Sequence, residues 1–172
     1  MTLLAERDLQ ITLPLGATGR KFDEESSHAL THCMKAVDFI VEFDNKIFYI
    51  ELKDPEDPTA DPGRSVDFLE RLKSGKIDTD LKTKYRDSWL YEYAQGRANK
   101  PIHYLVLISA SSLSEAELLA RTDALKRQIP LTGPRGRSWS RPFIAGCAVM
   151  NLATWNRHLA TMPVERISLR RP

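Results

Sequence analysis

The chain has 172 residues, of which 42% are hydrophobic and 28% are charged, and this composition is typical of one globular domain spanning residues 1–172. No apolar run approaches the roughly 18 residues needed to cross a bilayer, the N-terminal residues lack the pattern of a secretory signal, and two cysteines do not form a disulfide framework. A reduced, cytoplasmic protein with no membrane partner is therefore expected.

The net charge of +2 is unevenly distributed along the chain. Residues 1–60 hold 6 Lys/Arg and 12 Asp/Glu, whereas residues 121–172 hold 10 Lys/Arg and 2 Asp/Glu. This asymmetry is compatible with a polyanionic partner that binds near clustered carboxylates. It is equally compatible with two regions that neutralise each other.

The first predicted elements are a strand and a short helix. Residues 9–15 are predicted to be a strand, and their proline favours the edge or the end of a sheet. The GATG segment at residues 16–19 is predicted to be a turn. Asp23 is predicted to cap a helix that continues through residues 27–34.

Two β-rich runs within residues 37–54 predict a hairpin. Asp44 and Asn45 are expected to form its two-residue turn, because both residue types tolerate a positive φ. Phe43 then pairs with Lys46, and this register fixes every other pair in the hairpin.

Helices and buried strands follow the hairpin. Residues 54–63 form an acidic, proline-rich loop, and helices are predicted over residues 64–75 and 78–97. The continuous apolar run at residues 102–109 is typical of a strand buried on both faces. The crossover before it is long enough for a parallel connection, so a mixed α/β sheet is expected.

The remaining elements complete this α/β pattern. Ser114, with Glu117 three residues later, predicts a helix that begins with a capping box. A loop is predicted over residues 132–142, a second buried strand over residues 143–152 and a short helix over residues 153–160. A basic tail closes the chain.

The predicted register gives the hairpin one charged face. Asp38 lies directly opposite Glu51, and Lys53 projects from the same face two residues later. The other face is apolar and is predicted to be core; it carries Phe39, Val41, Phe43, Phe48, Ile50 and Leu52.

Two opposed carboxylates are unusual, because their Cβ atoms are only about 4.5–5.5 Å apart and like charges at that distance are destabilising. Oxygen ligands from neighbouring strands suit a hard divalent cation such as Mg²⁺, and a lysine beside the cation can position a water or a phosphate oxygen. Asp38, Glu51 and Lys53 therefore predict a metal-assisted phosphodiester hydrolase. The alternative is an ordinary solvated hairpin face on which Lys53 neutralises an acid.

The pattern Val37-Asp38, twelve residues, then Glu51-Leu52-Lys53 resembles the PD-(D/E)xK nuclease superfamily, with Val37 in place of the proline. The resemblance covers about residues 20–110. It implies a central four-stranded mixed β-sheet flanked by helices, the restriction-endonuclease-like fold.

The resemblance also implies a set of site residues. Mg²⁺ or Mn²⁺ would be held by Asp38, Glu51 and the main-chain carbonyl of Leu52, and Lys53 would act on the attacking water. Many members of the family add an acid from the helix before these strands. Glu25 is the candidate for this role, with Glu24 and Glu6 as fallbacks. A simpler explanation for Glu24 and Glu25 is that they compensate the dipole in the first turn of a helix.

The arginine loop is a candidate for nucleic-acid contact. Arg135, Arg137 and Arg141 surround Trp139 in a flexible context, and this combination suits phosphates and an unpaired base. Lys84, with Lys82 and Arg86, extends this basic surface or forms the solvated face of its helix.

The function predicted from these features is metal-dependent hydrolysis of DNA, with RNA possible and with endo- and exonuclease action both open. The first alternative is a nuclease-fold module that has lost catalysis and binds nucleic acid or a protein partner. The second is an interaction protein that uses the charged hairpin face. A homodimer or a partner protein is compatible with a nuclease of this size.

Overall fold

The structure is a computed structural model that describes residues 2–59, 62–141 and 143–169. The strands in these ranges are β1 (Leu3–Glu6), β2 (Leu9–Thr12), β3 (Thr18–Lys21), β4 (Phe39–Glu42), β5 (Ile47–Lys53), β6 (Ile102–Ile108), β7 (Gly146–Met150) and β8 (Val164–Arg166). The helices are α1 (Glu25–His28), α2 (Pro62–Lys73), α3 (Lys76–Ala94), α4 (Glu115–Gln128) and α5 (Leu152–His158). Within the described ranges, no helix is long and apolar enough to cross a membrane.

The main sheet has five strands in the order β3-β4-β5-β6-β7. Strands β3, β4 and β5 are antiparallel, whereas β5, β6 and β7 are parallel, so the expected mixed α/β sheet is confirmed. The sheet has five strands and not the expected four; the strand that was not predicted is Thr18–Lys21, which pairs with β4 at one edge. Its first two residues, Thr18 and Gly19, lie in the segment that was predicted to be a turn.

A second sheet of three antiparallel strands has the order β1-β2-β8. Strand β2 lies within the predicted strand at residues 9–15. Strands β1 and β8 were not predicted from the sequence. β8 lies in the basic tail and brings the C-terminal part of the chain against the N-terminal hairpin.

The predicted register of the central hairpin is confirmed. Phe39 pairs with Ile50, and the Phe43 amide donates to the Lys46 carbonyl over 2.9 Å. The turn itself differs from the prediction, since neither Asp44 nor Asn45 has a positive φ. The pairing of the two strands therefore does not depend on a primed turn.

Two hydrophobic cores lie on opposite faces of the main sheet. Helices α2, α3 and α4 cover one face, which includes Ile40 and Tyr49 of the hairpin. The three-stranded sheet and α5 cover the other face, which includes the predicted apolar residues of the hairpin. The face that carries Asp38 and Glu51 is consequently covered by helices and is not open to solvent.

The predicted helices occur with shifts of a few residues, and the capping box between Ser114 and Glu117 is present. Helix α1 is the exception, because it has only four residues and ends at Ala29 in the left-handed region. Glu24 occupies its N-cap position instead of Asp23, which leaves the Asp23 side chain available for the region described next.

Candidate active site

The end of the hairpin brings two acidic side chains together inside the protein. Asp38 immediately precedes β4 and is 4% exposed, and Glu51 lies in β5 and is fully buried. Lys53 projects from the same face of β5, and its ammonium group contacts Glu51 Oε1 over 2.5 Å. Asp38, Glu51 and Lys53 thus lie on one face, as the sequence predicted.

Lys84 of α3 completes this cluster. Its Nζ atom lies 3.2 Å from Asp38 Oδ1 and 2.7 Å from Glu51 Oε1, and its side chain is 20% exposed. One positive charge therefore sits between the two carboxylates and offsets the repulsion expected from their register. Of the two alternatives for Lys84, the solvated helix face is wrong, because the side chain points inward to the two acids. Its contact with nucleic acid stays a prediction.

Main-chain geometry orients the Asp38 carboxylate. The Leu52 amide donates to Asp38 Oδ2 over 2.6 Å, which leaves Oδ1 to face Lys84. The Lys53 carbonyl accepts from Ser109 on the β6 side of the strand. Because successive residues of a strand direct their main-chain groups to alternate edges, the Leu52 carbonyl faces the opposite edge, where Asp38 lies.

The environment of Glu51 favours its neutral form. Burial raises the pKa of Glu51 to about 7, with a further contribution from the Asp38 charge, while Lys53 and Lys84 act in the opposite direction. Neither carboxylate oxygen has a hydrogen bond of good geometry in the described structure, although Oε1 makes the ion pairs above. Oε2 is buried without any polar partner among the described residues, and this is an oxygen that a cation could use.

Lys84 remains a cation despite its burial. Burial lowers the pKa of its ammonium group, but Glu51 and Asp38 raise it more, so the net pKa lies above the ordinary value. The three side chains form a charge cluster with one cation between two acids, to which Lys53 adds a second cation at the exposed side.

A further acid at the site is Asp23. Burial raises the pKa of Asp23 to about 6, and the nearby charges of Asp38 and Glu6 add to this effect. Asp23 Oδ1 is buried and has no hydrogen-bond partner in the described ranges. Glu6, a fallback in the sequence analysis, lines the same cavity as Asp23 and forms an ion pair with Lys21 over 2.8 Å.

Glu25, the sequence candidate for the fourth acid, lies elsewhere. It is exposed, accepts a hydrogen bond from Thr31 and does not line the cavity at Asp38. The reason is the early end of α1, because the long helix that would have directed Glu25 inward does not form. Glu24 is also exposed and lies 3.5 Å from the Lys21 ammonium group.

Two adjoining cavities give access to the cluster. One of about 340 Å³ is lined by Glu6, Asp23, Asp38, Lys53 and Lys84, among others. A second of about 550 Å³ shares three of these residues and adds the basic side chains of Lys35 and Arg71. Asp38 lines only the first cavity, whereas Lys53 and Lys84 line both; Glu51 lines neither and lies behind them.

The described residues offer only a few protein ligands to a divalent cation. In the described part of the chain, no group of three or more His, Cys, Asp or Glu side chains is arranged to bind a metal. The donors that fit are one oxygen each from Asp38 and Glu51, both within 3.2 Å of the same Lys84 nitrogen, with the Leu52 carbonyl at the same edge. A cation in this position would replace the Lys84 ammonium group.

The arginine loop lies on the surface. Arg135, Arg137 and Arg141 are exposed, and the loop contains one short 3₁₀ turn at Pro134–Gly136. Arg141 lies over the ring of Tyr93, with its guanidinium carbon 5.4 Å from the ring centre. The loop therefore adjoins the second half of α3 and not the carboxylate cluster.

Sequence reasoning missed the roles of Lys84 and Asp23. The signal for Lys84 was present, since it lies three residues after Leu81 and four before Ser88, both of which are on the buried face of α3. A lysine on an apolar helical face needs an acidic partner. No comparable signal marks Asp23, whose position follows from the shortness of α1.

Comparisons of the chain with protein-family models, with curated proteins and with solved structures found no significant match.

Proposed function

We propose that this protein is a metal-dependent nuclease with its active centre at Asp38, Glu51 and Lys53. The observation that carries the proposal is the convergence of two buried carboxylates from adjacent strands on one cationic position. A hairpin that needed only a solvated charged face would not bury both acids. The adjoining Lys53, and a cavity that Asp38 and Lys53 line, support phosphodiester hydrolysis at this position.

The order of the strands supports a restriction-endonuclease-like fold. Three antiparallel strands, β3 to β5, are followed by two helices and the parallel strand β6. Asp38 precedes the second strand of this unit, and Glu51 and Lys53 lie at the end of the third. This is the placement that the resemblance to the PD-(D/E)xK superfamily implies, with β7 as a further strand.

Asp38, Glu51 and the Leu52 carbonyl would hold Mg²⁺ or Mn²⁺. When bound, such a cation supplies positive charge that stabilises the transition state of phosphodiester hydrolysis and lowers the pKa of water. The convergence of Glu51 Oε1 and Asp38 Oδ1 on one position, and the Leu52 amide that orients Asp38, favour this assignment.

Two lysines have different roles in the proposal. Lys53 lies at the exposed side of the carboxylates, where its ammonium group can orient the attacking water or a phosphate oxygen. Lys84 neutralises the two acids before the cation binds and is displaced toward the cleft when it does. There it can contact a phosphate of the substrate, which in our proposal is DNA, with RNA as the other possible polymer.

A catalytically inactive module of the same fold is the second candidate. The observation in its favour is again Lys84, because its ammonium group fills the space between the carboxylates with contacts of 2.7 and 3.2 Å. If that ion cluster cannot open, the residues serve only to stabilise the fold. Such a module would bind nucleic acid or a protein without cutting it.

Metal binding and cleavage test the proposal in parallel. Purified protein is titrated with Mg²⁺ and Mn²⁺ by calorimetry and incubated with plasmid, linear duplex and single-stranded substrates. We expect wild type to bind the metal and cleave, Asp38→Ala to lose both properties, and Lys53→Ala to bind metal without cleaving. The matched control is Lys100→Ala, which removes a lysine from an acid–lysine pair at the opposite end of the hairpin, where Nζ lies 2.6 Å from Glu42.

The outcomes separate the candidates. Metal-dependent cleavage that persists in Lys53→Ala would show that the proposed mechanism is wrong. Wild type that binds nucleic acid but neither binds metal nor cleaves would favour the inactive module. Circular dichroism of each variant checks that the loss does not come from unfolding.

A further inference from the structure

A cavity of about 650 Å³ lies beside the arginine loop, apart from the carboxylate cluster. Its walls come from the second half of α3, the end of α4 and the segment that leads into β7. The side chains that matter for its chemistry are Arg86, Trp89, Tyr93, Trp139, Arg141 and Phe143. Its volume is in the range of sites that hold small organic ligands.

Four aromatic side chains line this cavity. Trp89 and Tyr93 are stacked, with ring centres 4.8 Å apart and planes 14° from parallel. Trp139 lies 6.0 Å from Phe143 and is fixed by a hydrogen bond from its indole nitrogen to the Pro130 carbonyl. Tyr93 and Trp139 are each 38% exposed, and Arg141 lies over the Tyr93 ring, so a base that stacks on Tyr93 has to displace this guanidinium group.

The charge around the rings is positive. Arg86 and Arg141 line the cavity, and none of its described lining residues is an Asp or a Glu. Arg135 and Arg137 are exposed on the same loop. An aromatic recess whose charged lining residues are all cations is complementary to a ligand that combines a flat ring with a negative charge.

We propose that this cavity binds an unpaired nucleobase of a single-stranded nucleic acid, with Arg86 and Arg141 at the adjacent phosphates. Every base offers a π-face that stacks on Trp or Tyr, and arginines follow the backbone charge. A base within a duplex is already stacked on its neighbours, so a recessed aromatic site favours single strands. The inference deepens the proposed nuclease function by naming its substrate class, and for that biological role it rests on the proposed function.

The cavity lies further along α3 than Lys84 and on a different side of that helix. Lys84 and Trp89 are five residues apart on α3, and Tyr93 is four residues further. At a rise of 1.5 Å per residue, the stacked rings lie roughly 7–14 Å from Lys84 along the helix axis. At about 100° per residue, the rings also lie roughly 140–180° around the helix from Lys84, so a strand that reaches both sites has to pass around α3.

Binding is measured without divalent metal, so that no cleavage occurs. Fluorescein-labelled oligothymidylate and a duplex of the same length are titrated with protein in the presence of EDTA, and anisotropy is recorded. Trp139→Ala and Tyr93→Ala should each weaken oligothymidylate binding about five- to a hundredfold, the range found for loss of base stacking. Binding of the duplex should change less than about twofold. Leu119→Ala is the control, because it removes an exposed apolar side chain from α4 outside this cavity.

Arginine variants and competitors test the charge complementarity. Arg141→Gln should reduce the slope of log affinity against log salt by about 0.7 for single strands, as expected for one lost phosphate contact. Quenching of tryptophan fluorescence by the oligonucleotide should be reduced but not abolished in Trp139→Ala, because Trp89 also lines the cavity, whereas Trp155 is fully buried and inaccessible to a base.

Several results would overturn the inference. It is overturned if wild type does not detectably bind oligothymidylate, if the affinity is unchanged in both aromatic variants, or if these variants lose duplex binding equally. Competition by polyglutamate as strong as that by oligothymidylate of equal charge would instead identify an acidic peptide as the ligand. Because binding is measured in EDTA, a protein that stacks bases but never cleaves contradicts the nuclease proposal and leaves this one standing.

Discussion

At the level of single residues, Lys84 decides how the site can work. It is the only described residue whose ammonium group contacts both Asp38 and Glu51. The sequence made the two acids and Lys53 predictable, because a period of two places them on one face of a hairpin. Lys84 is 31 positions further along the chain than Lys53, so its contact with the acids depends on how α3 packs on the sheet.

Replacing Lys84 by Met should tighten the binding of Mg²⁺ by at least about tenfold. The variant removes a positive charge that competes for the same two oxygens, and electrostatic energies of more than 1 kcal/mol are expected at such distances. Without metal, the variant should melt at a lower temperature than wild type, because two buried carboxylates lose their shared cation. Calorimetry and thermal melts with and without Mg²⁺ measure these effects, and Lys82→Met on the same helix is the control. Weaker metal binding by Lys84→Met would contradict displacement of the lysine.

The stability of the metal-free protein should depend on pH through Glu51. Its pKa of about 7 in the folded state lies above the ordinary 4.5, so the folded protein keeps a proton that the unfolded chain releases between these values. The contribution of Glu51 to stability is therefore complete below about pH 4.5 and is lost as the pH rises toward 7. Gln has no proton to lose in this pH range. The free energy of unfolding of Glu51→Gln should therefore exceed that of wild type by up to about 3 kcal/mol between about pH 5 and pH 8. Urea unfolding in EDTA measures it, and parallel pH profiles for the two proteins would contradict the raised pKa.

Asp23 and Glu25 should behave differently on substitution. Asp23 is half-buried beside Asp38 and lines the cavity, so Asp23→Asn should lower cleavage about tenfold or more by changing the charge next to the cation site. Glu25 is exposed and outside that cavity, so Glu25→Gln should leave cleavage within about twofold of wild type. Rates at saturating Mg²⁺ compare the two. An equal loss of cleavage rate in the two variants would show that Glu25 acts at the site.

At the level of secondary structure, the strands and helices with strong local sequence patterns were predicted best. The hairpin register follows from side-chain alternation, and α4 begins with its predicted capping box at Ser114. Helix α1 was predicted too long, because its sequence lacks an apolar stripe that packing could stabilise and the chain leaves the helix at Ala29. Because of this error, Glu25 was assigned to the site and Asp23 was assigned to the helix N-cap. Element boundaries therefore decided which acid was assigned to the site.

Helix α3 should hold the end of the hairpin through Ser88. This buried hydroxyl accepts a hydrogen bond of 3.0 Å from the amide of Val37, the residue before Asp38. Ser88→Ala leaves that buried amide without a partner and should cost about 1–3 kcal/mol of stability. Metal affinity should fall as well, because Asp38 loses its anchored neighbour. Thr83→Ala, which removes an exposed hydroxyl on the same helix, should change neither property. Wild-type metal affinity in Ser88→Ala would show that Asp38 is held by other contacts.

At the level of the whole molecule, Arg166 joins the small sheet to the main sheet. From β8 it contacts Asp8 over 3.0 Å and binds Asp54 through two parallel hydrogen bonds of 2.8 and 2.9 Å. Its second nitrogen also donates to Ser109, which follows β6. The basic tail contained no pattern that predicted this arrangement, since β8 has three residues and its partners lie more than a hundred positions earlier. Pairing over such distances is set by the assembled fold and not by local sequence.

Arg166→Met should destabilise the protein by roughly 3–5 kcal/mol, because it leaves the largely buried carboxylates of Asp8 and Asp54 without their cation. The control is Arg157→Met, which breaks an exposed ion pair with Glu115 and should cost less than about 1 kcal/mol. Asp54 directly follows Lys53, so a loosened end of β5 should also reduce cleavage at temperatures where the variant is still folded. Urea unfolding gives the stability, and cleavage rates are measured well below each melting temperature. If Arg166→Met is no less stable than Arg157→Met, the two sheets are held together by their apolar contacts alone, and the C-terminal strand does not contribute to the position of Lys53.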